Sequence, residues 1–561
     1  MFNFGALQTF KHLSLILIWN KITLKNNIEK LISELPEIYQ PIYGYPEFSK
    51  NISRISKDRL TIIREMYSSL QVKLDRPLRI LDLGCAQGYF SLNLASLGAD
   101  VLGVDYLPEN IALCNALANG QSDLNVKFQV GKVEDIISNL EPNDFDLVLG
   151  LSVFHHVVYQ HGEEYVKELL NNIADKCGLL VLEMALKSEP LYWGDAQPDD
   201  PRNLLTDIAF IHKVADFPTH LANIPRPMFI ASNKYWILDG AANDILSWTD
   251  EPHNLIPGIH QGGRRYYKSK DQFLKMYRID KPHFEYNKLD FKRELEFLNS
   301  APESFFAPKL IASDKNNSDA WLIMDKLEGK LLSEILSTTD EVMIKHILKE
   351  LLNQLCILEE NGWYHSDIRT WNIFIQDDMS VILIDYSSMI REKYDCVWPS
   401  NIFISFVIFI YEVAMKIVKP PIPLRTVAMN PQHFPKPYNI LISKFWSYSS
   451  DEWSFKLFNK LFNEFDNVKL ILDNQEWPVS IEEALQNINS SYYQLVSRLN
   501  KCELVAYQAE AKAEKAKIKI EALEERSLGY LSQLQTIYSS SSWKITAPIR
   551  SIVGFLKKLK N

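Results

Sequence analysis

Five apolar runs, "LRILDLG", "DVLGVD", "VKFQVG", "DFDLVLGL" and "GLLVLEMA", follow one another between residues 78 and 185, with helical stretches between them. Apolar runs spaced in this way predict a parallel sheet with helices on both faces. The pattern covers about residues 28–240 and fixes the first part of the chain as α/β. After "GRRYYKSKDQFLKMY" it changes to antiparallel-looking strands, one helix and a mostly helical region reaching about Trp477. A chain of 561 residues exceeds one core, and at about 150 residues per domain three or four units are expected.

Composition narrows the classes. An apolar share of 47% and an aromatic share of 12% belong to a globular chain, not a disordered one. Net charge is −10, so the basic footprint of a nucleic-acid binder is missing and no such partner is expected. The six cysteines are scattered without a C-x-x-C pair, which supports neither a zinc site nor a disulfide framework. A reducing, cytoplasmic compartment is the expectation. "LSLILIW" (Leu13–Trp19) is short and lacks a cleavage site after it. "NIFISFVIFIYEVAMKIV" from Asn401 is interrupted by Glu412 and falls short of the roughly 20 residues of a span; it reads as a buried helix.

"LDLGCAQG" puts Gly84 at a strand end and Gly88 near a helix start, where glycine lets backbone approach a ligand. Asp105 ends the next strand, where a carboxylate can take both ribose hydroxyls. The spacing is Gly84-x-x-x-Gly88 with Asp82 before it. An acid in that turn would repel a diphosphate but suits the amino group of a methionine moiety. The arrangement resembles the first motif of class I S-adenosylmethionine methyltransferases, and "VGKVEDI" and "LGLSVFHHV" follow in the order of that family. A nucleotide fold binding another ligand is the alternative. His155 and His156 can be read as a general base or as packing and capping residues. An acceptor oxygen that is already anionic would need no base.

In "HSDIRTWN", Asp367 and Asn372 stand five apart, and Asp385 follows in "LIDYSS". A kinase needs a carboxylate at the acceptor hydroxyl and oxygen ligands for the magnesium ions on the phosphates. Asp367 fits the first role, Asn372 and Asp385 the second. Lys275 in "QFLKMY" and Glu294 in "FKRELEFL" would pair to hold the nucleotide phosphates. "WLIMDKLEG" resembles a hinge strand, with Met324, Asp325, Lys326 and Leu327 presenting backbone to adenine. No G-x-G-x-x-G precedes Lys275, "DYS" stands for D-F-G, and no A-P-E follows. The pattern is similar to small-molecule and sugar kinases of the protein-kinase-like fold; a structural pseudokinase is the competing reading.

From Leu485 through Ile488, Tyr492, Leu495, Leu499, Cys502, Ala506, Ala509, Ala513, Ala516 and Ile520 to Leu523 the spacing alternates strictly between four and three. Nearly six heptads with charges off the seam predict a coiled coil, roughly 60 Å long at the helical rise. Beyond it, Ile549, Ile552, Val553, Leu556 and Leu559 share one helical face flanked by Arg550, Lys557, Lys558 and Lys560. That suits an anionic bilayer surface; a helix packing on its own protein is the alternative.

Taken together, "SELPEIYQPIYGYPE", "YWGDAQPDDPRNL", "PRPMFIAS" and "DCVWPSN" resemble the bifunctional kinase–methyltransferases that terminate polymannose O-antigen chains in Gram-negative bacteria. The resemblance runs over about residues 30–420, and in architecture over the rod and tail as well. It implies a class I, Rossmann-like methyltransferase domain (31–240), a two-lobed kinase-like α+β domain (241–478), a parallel coiled coil (481–528) and a basic membrane- or partner-binding tail (529–561), after an extension (1–30). It further implies that ATP phosphorylates the terminal mannose of a lipid-linked glycan, as a mannosyl 3-phosphotransferase, and that S-adenosylmethionine then methylates the phosphate and stops growth. The implied partners are a mannosyltransferase polymerase, the cytoplasmic face of the inner membrane and further copies of the chain, as a trimer.

By the same resemblance the methyl donor meets Tyr39, Gln40, Arg59 and Gly84. The stretch Asp105, Tyr106, Leu107, Pro108, Glu109 and Asn110 joins them, as do Gly131, Lys132, Val133 and Leu151. Pro252, His260 and Arg264 match nucleotide contacts ahead of Lys275. Two other classes remain in view: a membrane-attached scaffold with inactive lobes, and a small-molecule kinase fused to an independent methyltransferase.

Overall fold

The computed structural model describes residues 23–464 except 122, 220, 222–223, 256–257 and 419–428, together with scattered helical positions between 495 and 541. The apolar run at 13–19 and the tail face from Ile549 lie outside the described residues.

The predicted runs form the strands β1 (Arg79–Leu83), β2 (Asp100–Asp105), β3 (Val126–Val130), β4 (Leu147–Leu151) and β5 (Leu179–Glu183). They pair in parallel. Two later strands, β6 (Phe210–Phe217) and β7 (Arg226–Ser232), join antiparallel, giving the order 3-2-1-4-5-7-6. The antiparallel edge qualifies the parallel sheet read from the sequence. β4 and β5 are buried at every position, which is why they read as continuous apolar runs and not as alternating ones.

A hairpin, β8 (Tyr235–Leu238) and β9 (Ala241–Asp244), leads to a second sheet built of β10 (Ser247–Thr249), β11 (Arg264–Lys268), β12 (Gln272–Arg278), β13 (Leu310–Lys315) and β14 (Asp319–Asp325). This sheet is antiparallel throughout, in the order 10-11-12-14-13, with the helix Glu285–Ser300 packed against it. A helical lobe follows, around the helices Glu341–Glu360, Ile402–Ala414, Tyr438–Phe445 and Phe455–Glu464.

The helix Ile402–Ala414 starts where the Asn401 side chain accepts from the amides of Phe403 and Ile404, satisfying donors that a helix start leaves unpaired. Ile402 to Ile410 are all buried. Its apolarity comes from burial inside the lobe, in keeping with the reading made from Glu412. No helix among the described residues is long and apolar enough to cross a membrane.

The two sheets share a core. One apolar cluster joins Ile80, Leu149, Val181 and Trp236 to Tyr267, Leu274, Met276, Trp321 and Ile323 of the second sheet. A polar pin stands beside it: the buried Asp319 carboxylate accepts from Arg202 at 2.6 Å and from the Lys213 amide at 3.0 Å, and lies 3.0 Å from the His212 ring. Burial alone would raise the Asp319 carboxyl, but Arg202 and His212 outweigh it and hold it well below the carboxylate range. Arg265 adds bonds to the Ile208 and Ala209 carbonyls. A shared apolar core pinned by ionic contacts fixes the angle between the domains more firmly than a polar interface does.

Nine of the twelve seam positions, Leu495 to Leu523, are described, and all nine are helical and exposed in the single chain.

Candidate active sites

At the end of β1 the chain turns through Gly84 and Gly88, both at positive φ (72° and 73°). A Cβ at Gly88 would stand 2.9 Å from Cys114 Sγ, so the turn needs glycine for conformation and for space. Asp105 clamps this turn to the next. One oxygen accepts from the Ala86 amide at 2.9 Å, the other from the Leu107 amide at 2.9 Å and from Asn110 at 3.1 Å. A carboxylate offers about four acceptor positions, and these bonds occupy three. The double ribose contact expected of Asp105 therefore requires one protein donor to give way.

Gln87, to which the sequence reading gave no role, straps Tyr39 and Gln40 across the turn: its Oε1 accepts from their amides at 3.1 and 2.9 Å. Tyr106 is exposed, Pro108 opens the helix Pro108–Asn119 with Glu109 in its first turn, and the Gly131 amide donates to the Asp105 carbonyl at 3.0 Å. Lys132 immediately precedes the short helix that Val133 begins, and Leu151 ends β4. Gly84, Asp105, Gly131 and Leu151 stand at or just beyond the C-terminal ends of β1 to β4, and Gln87 ties Tyr39 and Gln40 to that edge.

Arg59 shares its buried acid with a second arginine. Only 1% exposed, it gives its Nε to Glu183 at 2.6 Å and an Nη to the Pro218 carbonyl at 2.8 Å. The second arginine is Arg54, which donates to the Tyr39 hydroxyl at 2.6 Å, to Ser152 at 3.0 Å and to the same Glu183 carboxylate. Nothing local in the sequence marks Arg54, because its partners are remote.

His155 and His156 begin the helix Phe154–His161. Burial, then Arg226, push the His155 imidazole down to about 2. A ring that weakly basic is no general base near neutrality.

Asp82 lies buried behind the turn, its carboxylate accepting from Ser91 at 2.6 Å, and burial raises it to about 6. The folded state thus keeps a proton that the unfolded chain, titrating near 3.8, has lost. The contribution of Asp82 to stability is complete below about pH 4 and is lost as pH rises through about 6, at a cost of about 3 kcal/mol. Asp82→Asn is expected to raise the unfolding free energy at pH 7.5 and to leave it unchanged at pH 4; urea titrations at the two values check this.

In the second domain Lys275 of β12 reaches Glu294 of the helix Glu285–Ser300 at 2.7 Å and Asp385 at 3.1 Å. Burial would lower the lysine, but Glu294 and other anionic neighbours outweigh it and hold the ammonium charged. Burial would likewise raise Asp385, but Lys275 and Arg264 hold it well below the carboxylate range. Asp385 also occupies the left-handed region at φ 66°, a cost that tends to accompany functional positions.

Asn372 donates to the Asp367 carboxylate at 2.7 Å and to its carbonyl at 2.8 Å. The other Asp367 oxygen lies 3.4 Å from both Arg369 Nε and Cys396 Sγ. Arg369 is itself anchored on the buried Asp395. The five residues read as the kinase machinery are therefore brought into two touching groups: Lys275–Glu294–Asp385 and Asp367–Asn372.

Ahead of β11, where a glycine-rich loop would lie, His253 packs on Trp371 of the catalytic loop with centroids 5.1 Å apart. Pro252 precedes it, half-buried. Burial, then Arg264 and Lys275, hold His260 down to about 3, so its ring is neutral. Arg264 is fixed by Asn287 at 2.8 Å and by Asp290. In the hinge segment after Met324, the amides of Asp325 and Lys326 donate to the Lys309 and Asp271 carbonyls, so those two amides serve the sheet. Leu327 follows, half-buried.

Known proteins share both halves. A methyltransferase-domain family model matches residues 74–219 and a RIO-domain model residues 260–396. The O-antigen chain terminator bifunctional methyltransferase/kinase WbdD of Escherichia coli is 39% identical over 448 residues, covering 79% of this chain and 63% of its own length. The chain thus spans a little under two thirds of that curated relative. A WbdD structure with an ordered C-terminal bundle superposes with a TM-score of 0.76 at 35% identity, over 90% of this chain and all of that one. A 2.2 Å crystal structure of WbdD gives 0.71 at 36% identity, over 82% of this chain and all of that one.

Proposed function

Since the chain belongs to the WbdD family of bifunctional methyltransferase/kinases, we propose that it terminates O-antigen chains by two consecutive transfers. The first puts a phosphate on the non-reducing terminal mannose of a lipid-linked glycan, and the second methylates that phosphate. The observation that carries this reading is the pairing of Lys275 with both Glu294 and Asp385 beside an Asp367 oriented by Asn372. An inactive scaffold would have no need of a buried lysine held between two carboxylates.

Bound ATP and magnesium supply the phosphoryl group and screen its charge; the residues hold and orient. Lys275 neutralises nucleotide phosphate charge, and Glu294 fixes its position. Asp385, kept ionised, and the Asn372 amide oxygen are the hard oxygen ligands magnesium takes. Asp367 Oδ1, beside Arg369 and Cys396, accepts the proton of the attacking sugar hydroxyl. Sites held at fixed distance by a shared core suit the hand-over of one glycan end from the first transfer to the second.

In the first domain, the glycine turn and the Tyr39–Gln40 strap fit a flat nucleoside donor, and S-adenosylmethionine bound there supplies the methyl group. The acceptor is a phosphate oxygen that is already anionic, so no base is required. The neutral, weakly basic His155 agrees with this. The helical, outward-facing seam supports association of copies through a coiled coil, a trimer in this reading, and the tail supports attachment at the cytoplasmic face of the inner membrane near the polymerase.

Purified protein given labelled methyl donor and a short mannose oligosaccharide is expected to methylate it only when ATP and magnesium are present. Equal labelling without ATP would favour a kinase fused to an independent methyltransferase and defeat the coupled scheme.

A further inference from the structure

The segment "LKSEPLYWGDAQ" leaves β5 and returns over the strand ends, and no step above uses it. Its Trp193 is locked. The indole Nε1 donates to Glu189 at 3.0 Å, Arg226 lies over the ring at 5.6 Å, and His155 stands 4.6 Å away. Glu189 in turn takes both Nε and Nη2 of Arg226, at 2.8 and 2.6 Å. Gln197 ties the Trp193 carbonyl at 3.0 Å to the His155 carbonyl at 3.2 Å. Gly194 completes the turn, since a Cβ there would stand 2.2 Å from the Glu189 carbonyl oxygen.

The neighbouring Tyr192 is the reverse, 62% exposed. Its hydroxyl shares a hydrogen bond with His156 Nδ1 at 3.0 Å, and its ring meets the 51% exposed Tyr159 edge-on at 5.0 Å. Single exposed aromatics are ordinary. Two in contact, held by a buried tryptophan and a buried ion pair, form a rigid display of apolar surface of the kind that marks a binding site.

The display is connected to the proposed donor site. Tyr39 bonds Arg54, Arg54 bonds Ser152, and two residues on begins the helix that carries His155, His156 and Tyr159. Ser152 holds a left-handed φ of 58° at the end of β4, the kind of backbone cost that persists where function requires it. His155 Nδ1 is buried without a hydrogen-bond partner in the same cluster. Arg226 and Arg54, each paired with a buried carboxylate, line the same cluster.

The geometry points to Tyr192, Tyr159 and Trp193 as an acceptor-sugar subsite, a stacking platform for the terminal pyranose whose phosphate faces the methyl donor. This assignment rests on the reading of the previous subsection. A pyranose has one apolar C–H face and a rim of hydroxyls. It therefore matches an aromatic face bordered by a tyrosine hydroxyl and an imidazole. Because Tyr192 is held in place before the sugar arrives, little ordering entropy is lost on binding.

The test is a separation of constants. With a synthetic phosphomannosyl disaccharide, Tyr192→Ala is expected to raise KM for that acceptor about tenfold, the effect of losing one ring contact. KM for the methyl donor and the phosphorylation rate stay at wild-type values, and Tyr192→Phe keeps most of the acceptor affinity. Saturation-transfer NMR without methyl donor gives a readout independent of turnover: signals on the terminal ring protons weaken in Tyr192→Ala. An unchanged acceptor KM in the Tyr159→Ala/Tyr192→Ala double variant, or ring signals equal to wild type, overturns the platform. Should the wild type itself fail to methylate the phosphosugar, the earlier reading falls on its own control. The NMR arm, run with the unphosphorylated disaccharide, still decides the platform by the same comparison.

Discussion

Asp367→Asn is expected to lower phosphoryl transfer from ATP to a mannose oligosaccharide about a thousandfold, within the range that a positioned general base contributes. The substitution keeps the shape of the side chain and an oxygen for the Asn372 amide, whose 2.7 Å bond orients the group. What is lost is the second carboxylate oxygen as a proton acceptor, the one 3.4 Å from Arg369 Nε and Cys396 Sγ. Folding should be preserved, and an acceptor phosphorylated beforehand should be methylated at the wild-type rate. Radiolabel from the γ-phosphate measures the first effect and methyl label the second. A variant that still phosphorylates at the native rate would show that the hydroxyl proton leaves without Asp367, and the loop would then have only a binding role.

Glu183→Ala is expected to cost roughly 3–5 kcal/mol, because it strips the shared partner from two buried arginines. Glu183 is 1% exposed and engages Arg54 and Arg59, which are 6% and 1% exposed. With the carboxylate gone, two guanidiniums remain beside each other with little water to screen them. Among the described residues Asp58, more than a third exposed, is then the one acid left on Arg59. A thermal melt should fall by roughly 10 °C. Methyl transfer should fall further than phosphorylation, since Arg54 also holds the Tyr39 hydroxyl of the proposed donor site. An unaltered melting temperature would mean that the arginines find other partners and that the network is not integral to the fold.

The contrast between these residues explains what could be read in advance. Asp367 and Asn372 lie five apart on one loop, so the spacing that makes them touch is written locally. Gly84, Gly88 and Asp105 are similar: a turn that demands positive φ and a strand end one helix later are both short-range facts. Glu183 sits in an apolar strand with nothing beside it to suggest a charge partner. Arg54 lies 129 positions from it in the chain, and Arg59 124. Arg59 read as a donor-site residue through resemblance; the structure shows the buried acid that it shares with Arg54. Tyr192 and Trp193 were visible as letters of a familiar stretch, but their opposite exposure followed only from Glu189 and Arg226 closing over one of them.

By itself the sequence determined the alternation of strands and helices, the turn with its two glycines, the kinase loop and the four–three seam, because periodicity and turn chemistry act over a few residues. The tertiary structure alone decided that both sheets share one apolar core pinned by Asp319, and that two antiparallel strands close the first sheet. It likewise brought Arg54 and Arg59 to one buried carboxylate, Glu183. Those outcomes depend on contacts between positions a hundred or more residues apart, where the loss of water from apolar faces and the pairing of buried charges select one partner among many, and no local pattern records that selection.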